Sequence, residues 1–151
     1  MKWFPKRSMM NKIDLPDVNV LFALVQPSHA AHTLAWSWFD DTAGFAMTPI
    51  TELGLLRLSM NPKVMGQQIT FADAVASLSS LRDDPRSCFV ADDSSLTDAS
   101  ISLQALQGYR QVTDLHLVNL AARHKMVLTT LDRSLQQSLL PADRHHIRLL
   151  G

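Results

Sequence analysis

The chain has 151 residues, of which 46% are hydrophobic and 19% charged. That length predicts one domain, with about two-thirds of the unfolded surface buried and a core that needs no staples. Fourteen Lys and Arg balance fourteen Asp and Glu, which speaks against a non-specific basic nucleic-acid binder and against an acidic disordered chain. The single cysteine, Cys88, excludes an internal disulfide framework and a cysteine-based zinc site, and fits a reducing cytoplasm. Thirteen of the fourteen acids are Asp, and Glu52 is the only Glu.

No apolar run approaches the ~18–20 residues of a membrane helix, so no membrane partner is expected. The longest apolar run, from Val18 to Val25, is broken by Gln26-Pro27. The opening ten residues are basic, but no apolar segment or small-residue cleavage site follows, so they do not read as a secretory signal. Residues 1–11 are expected to be a poorly ordered extension, with Met9 or Met10 as alternative starts, and residues 12–151 the folded domain.

In chain order, an extended run at 13–15 ends at Pro16, consistent with the extended bias of a residue before proline. Apolar residues at i, i+4 spacing predict a helix over 30–40. A short strand at 44–47 leads to Thr48-Pro49, a cap followed by proline at the first helical position, and a helix over 50–60. Asn61-Pro62 stops it. A helix over 70–82 ends at Asp83-Asp84-Pro85, and a strand follows at 88–91. The pattern then predicts a helix over 95–107 closed by Gly108, a helix over 112–124, a strand at 126–129, a helix from 132 or 133 to 140, and a last strand within 146–150. Strands alternating with helices imply an α/β domain with a mostly parallel sheet of four to five strands, covered on both faces.

Such sheets bind ligands at the carboxyl ends of their strands. Asp17 follows the first strand, Glu52 lies in the first turn of the helix after the second, and Asp132 follows the fourth. Asp114 opens the helix before the fourth. If the four meet, about four negative charges must either raise their pKa values or bind cations. Mg²⁺ or Mn²⁺ prefers such oxygen ligands and could promote phosphodiester hydrolysis. Each acid also has a plainer role. Asp17 and Asp132 could cap turns or helices, while Glu52 and Asp114 could complement helix N-termini.

The residues Asp17-Val18-Asn19-Val20-Leu21, Thr48-Pro49-Ile50-Thr51-Glu52-Leu53-Gly54, Gln111-Val112-Thr113-Asp114 and Thr129-Thr130-Leu131-Asp132-Arg133 occur in an order and spacing that resembles the PIN-domain ribonucleases. More narrowly they resemble the VapC toxins of type II toxin–antitoxin pairs. The resemblance covers the chain from about Lys12 to Leu150. It implies a single-domain, three-layer α/β/α sandwich and cleavage of RNA with one or two Mg²⁺ or Mn²⁺ ions. Asp17, Glu52, Asp114 and Asp132 would be the metal-binding, catalytic acids. Asn19 and Thr130 would orient ligands or water, and Arg57 would contact phosphate or remain a solvated helix-face residue. A cognate antitoxin, an RNA substrate, a homodimer and a cytoplasmic location follow from the same likeness.

The alternatives are a non-catalytic α/β binding module whose acids bind a structural cation or cap helices, and a housekeeping RNA-processing nuclease of the same fold. Asp17-Val18-Asn19-Val20 also resembles the opening of haloacid-dehalogenase phosphatases, but their second acid is Asn19 here. No Walker A loop or Gly-x-Gly-x-x-Gly fingerprint is present. His29 and His32, three apart, read as packing or helix-start residues. Trp38 and Phe39 read as core or dimer contacts.

Overall fold

A computed structural model describes residues 12–105 and 108–151; the expected extension over residues 1–11 lies outside them. Five strands form one all-parallel sheet: β1 (Asp14–Pro16), β2 (Phe45–Met47), β3 (Ser87–Phe89), β4 (Val127–Thr130) and β5 (Ile147–Leu149), in the spatial order β3-β2-β1-β4-β5. The α-helices are α1 (Val18–Val25), α2 (His32–Asp41), α3 (Pro49–Met60), α4 (Pro62–Met65), α5 (Phe71–Arg82), α6 (Val112–Arg123) and α7 (Arg133–Ser138).

Alternation along the strands divides the core in two. Phe45 and Met47 face a cluster built from Leu21 and Phe22 of α1, Trp38 and Phe39 of α2, Leu55 of α3 and Leu78 of α5. Ala46, with Leu15 and Leu128, faces the opposite cluster, built from Leu117, Val118 and Leu120 of α6 and Leu135 of α7. Helices therefore cover both faces of the sheet, and the fold is the expected α/β/α sandwich.

Two segments depart from the sequence pattern. The Val18 to Val25 run, to which that pattern assigns no element, is a helix whose residues Val20 to Leu24 are all buried; periodicity does not separate so short and continuous an apolar run from a buried strand. The helix expected over 95–107 does not form. Its described residues carry only 3₁₀ turns at Leu96–Asp98 and Leu103–Ala105. Side chains take the backbone donors that a helix would use: Asn119 accepts from the Ser100 N–H at 2.7 Å, and Asp143 from the Ser102 N–H at 2.9 Å.

The strand order positions the site. From β1 the chain moves to β2 and β3 on one side, then returns to lay β4 and β5 on the other. The connections diverge between β1 and β4, which opens the ligand crevice of a doubly wound sheet at their carboxyl ends.

Candidate active site

Asp17 directly follows β1 and caps α1. Its Oδ1 accepts the Val20 N–H at 2.9 Å, and its backbone N–H reaches the Thr129 carbonyl of β4 at 2.9 Å. Asp132, just beyond β4, caps α7 by accepting the Leu135 N–H at 3.1 Å and the Ser134 hydroxyl at 2.6 Å. Between them stands the buried Thr130, whose hydroxyl donates to Asp17 Oδ2 at 2.6 Å and accepts the Asp132 N–H at 3.0 Å. The capping roles and the site roles of the two aspartates thus coincide. Each cap fixes its carboxylate at the crevice.

Asp114, in the first turn of α6, completes the group from the layer that also holds α7. Its pKa is pushed up to about 6, first by burial and then by the charges of Asp17 and Asp132. Burial is also the main cause that raises Asp17, opposed by the Thr130 and Val20 hydrogen bonds and assisted by the charge of Asp132. Three carboxylates therefore repel one another across the crevice. Among the described residues none of them forms an ion pair with a base.

Glu52 lies in the first turn of α3, which is closed by the Thr51 hydroxyl on the Thr48 N–H and carbonyl. It is held by Arg82 of α5, with Nε 3.6 Å from Oε1, and that oxygen is shielded from solvent without a hydrogen-bond partner. Nothing in the residue types around Arg82 marks it as this partner. Asn19 is exposed on α1, and Arg57 is exposed on α3, where it lines a cavity of about 460 Å³ with Val18, Gly54 and Thr113. Gly54 permits that approach, since a Cβ there would lie 2.4 Å from Val18 Cγ2, next to Asp17. The two histidines noted in the sequence have structural partners: His32 Nδ1 bonds with the Ala23 carbonyl at 2.7 Å, and His29 Nδ1 accepts the Ala31 N–H.

The donor set is all oxygen, half to fully buried and short of positive charge, which suits a hard divalent cation. Among the described residues no three acid, imidazole or thiol groups stand close enough to hold one ion in common. The cluster therefore has the chemistry of a metal site without coordination already closed around an ion. A cavity of about 600 Å³ between α1, α2 and α5, lined by Leu24, Trp36, Phe39 and Leu81, contains none of these acids.

Similarity to known proteins extends over most of the chain. The chain is 46% identical over 120 residues to ribonuclease VapC38 of Mycobacterium tuberculosis, an alignment spanning 78% of this chain and 84% of the relative. The chain belongs to the VapC family of ribonucleases. Ribonuclease VapC39 of the same organism is 42% identical over 127 residues, 82% of this chain and 91% of that one. Ribonuclease VapC29 is 37% identical over 123 residues, 80% and 86% of the two chains. No family model matches the sequence. Membership accounts for the parallel sandwich. Among the described residues no helix is long and apolar enough to cross a membrane.

Proposed function

We propose that this chain is the toxin of a toxin–antitoxin pair, an endoribonuclease that hydrolyses RNA phosphodiester bonds with one or two Mg²⁺ or Mn²⁺ ions. The observation that supports it is Asp114. This half-buried carboxylate makes no hydrogen bond or ion pair among the described residues and lies within the fields of two other carboxylates, Asp17 and Asp132. Helix capping explains Asp17 and Asp132 in a non-catalytic module, but it does not explain Asp114.

Asp17, Asp114 and Asp132 would hold the cation, with Glu52 joining from its pairing with Arg82. The ion, when bound, supplies Lewis acidity at the phosphate and lowers the pKa of water. Thr130 fixes the rotamer of Asp17 and, through the Asp132 N–H, the start of α7. Such supporting hydrogen bonds set ligand geometry. Asn19 and Arg57 border the crevice, where they can orient water and take a phosphate oxygen. In-line attack by water breaks the bond to the 3′ oxygen and leaves a 5′-phosphate and a 3′-hydroxyl. An exposed single-stranded or loop segment is the expected substrate, since folded RNA hides its base edges. A cognate antitoxin restrains the enzyme by filling the acidic crevice with an Arg or Lys, and a cytoplasmic homodimer is the working assembly.

The test is cleavage of single-stranded RNA by the purified protein with Mn²⁺ or Mg²⁺, with EDTA, and with the Asp17→Asn, Asp114→Asn double variant. Cleavage that needs the metal and vanishes in the variant supports the reading. Equal cleavage by both proteins marks a contaminant and removes it.

A further inference from the structure

Next to the acid cluster lies a second cavity, of about 360 Å³, whose lining includes Ile50, Asp92, Ser94, Ser95, Thr113 and His116. Ile50 and Thr113 are shared with the cavity that carries Arg57, so the two cavities adjoin at Thr113, the residue before Asp114. We propose that this second cavity binds one nucleobase of the RNA beside the scissile phosphate and selects bases that carry an exocyclic amine over uracil. The inference rests on the ribonuclease reading and extends it to substrate choice.

Four observations carry it. The volume lies near the lower end of small-molecule sites, roughly 300–1,000 Å³. The cavity has no Lys or Arg in its lining and carries Asp92, so it disfavours a phosphate, while Ile50, Leu96 and Val112 offer apolar surface to the face of a base. Its polar edge carries a carboxylate acceptor: Asp92 Oδ1 is engaged by His116 Nε2 at 2.6 Å, which leaves Oδ2 outside that bond. A carboxylate accepts from the amine of cytosine and, in single strands, from the amino edges of adenine and guanine. Uracil presents two carbonyls flanking its one N–H, and these oppose a carboxylate.

The wall is also firmly held. Asn119 of α6 accepts the Ser100 N–H at 2.7 Å and donates to the Ser95 carbonyl, and His124 reaches Asp93 at 2.7 Å. The loop after β3 is thereby fastened to the helix that carries Asp114, which sets the distance between a bound base and the acids.

A single-stranded RNA of randomised sequence tests this with two readouts. Wild-type protein with Mn²⁺ is allowed to cleave it and the ends are sequenced. The Asp17→Asn protein in EDTA is used to enrich bound RNA without cleavage. Uracil should be disfavoured at one position near the cut, and Asp92→Asn, which adds a donor, should lower that discrimination roughly ten- to hundred-fold. Asp73→Asn, on α5 and outside the cavity, should keep the wild-type pattern. Loss of selectivity with Ser94→Ala at the same position adds support. Preferences unchanged in Asp92→Asn, or no position that disfavours uracil, overturn the proposal while metal-dependent cleavage leaves the nuclease reading standing. Absent cleavage with Asp92-dependent selection in the bound pool overturns the nuclease reading and retains the base site.

Discussion

Asp114→Asn should make the metal-free protein more stable while destroying its activity. Asp114 ionises near pH 6 in the folded chain and near 3.8 without its surroundings. Between those values the folded state binds more protons than the unfolded one, so stability falls as pH rises through the window, the reverse of a salt-bridged carboxylate. A gap of about two units corresponds to a ceiling of roughly 3 kcal/mol above pH 6. Partial exposure and solvent screening bring the expected gain to about 1–2 kcal/mol. For a domain of this size each kcal/mol shifts Tm by about 2–4 °C. Thermal unfolding in EDTA at pH 7.5 should therefore show Asp114→Asn melting several degrees above wild type, with the difference closing by about pH 4. Mg²⁺ should raise the wild-type Tm more than that of the variant. A variant no more stable than wild type at pH 7.5, or equally stabilised at both pH values, would refute the penalty on a charged Asp114 that burial, and then Asp17 and Asp132, impose.

Glu52→Gln should reduce metal-dependent cleavage to background with the circular dichroism spectrum unchanged; full activity would remove Glu52 from the site. Thr130→Val keeps the volume but strips partners from Asp17 Oδ2 and the Asp132 N–H. It should cost about 1–3 kcal/mol in urea unfolding and lower activity or metal affinity roughly 10–100-fold. Gly54→Ala drives a methyl against Val18. It should destabilise by about 1–3 kcal/mol and impair cleavage through the displaced start of α1, read as a Tm loss that accompanies the activity loss.

The position of Asp17 and Asp132 was legible because each directly follows a short extended run, and strand ends are where an α/β sheet presents its ligands. Their meeting was not legible from the residues alone. It depends on β4 returning beside β1, an order that local pattern does not encode and that the family resemblance supplied. Asp114 looked like an ordinary helix-start acid, since only its unpartnered burial sets it apart. Arg82, the partner of Glu52, lies on α5 in a last-turn position where basic residues are commonplace. The segment after β3 deceived the helical pattern because Asn119 and Asp143, distant in sequence, capture its backbone donors. The charge balance also reads differently: with four acids set aside for the site, fourteen bases face ten acids over the rest of the chain. An overall neutral composition is therefore compatible with an RNA partner.

The Thr130 hydroxyl on Asp17 joins residues 113 apart in sequence. A ribosome making this chain from its N-terminus delivers Asp17 early and its two partners on β4 and beyond only near the end. Until then the first carboxylate has neither the hydroxyl that aims it nor the neighbour that completes its charge. If the acids act as proposed, chains that stop before residue 132 should be harmless to the cell that makes them, and synthesis itself gives a margin of time before the acid cluster exists.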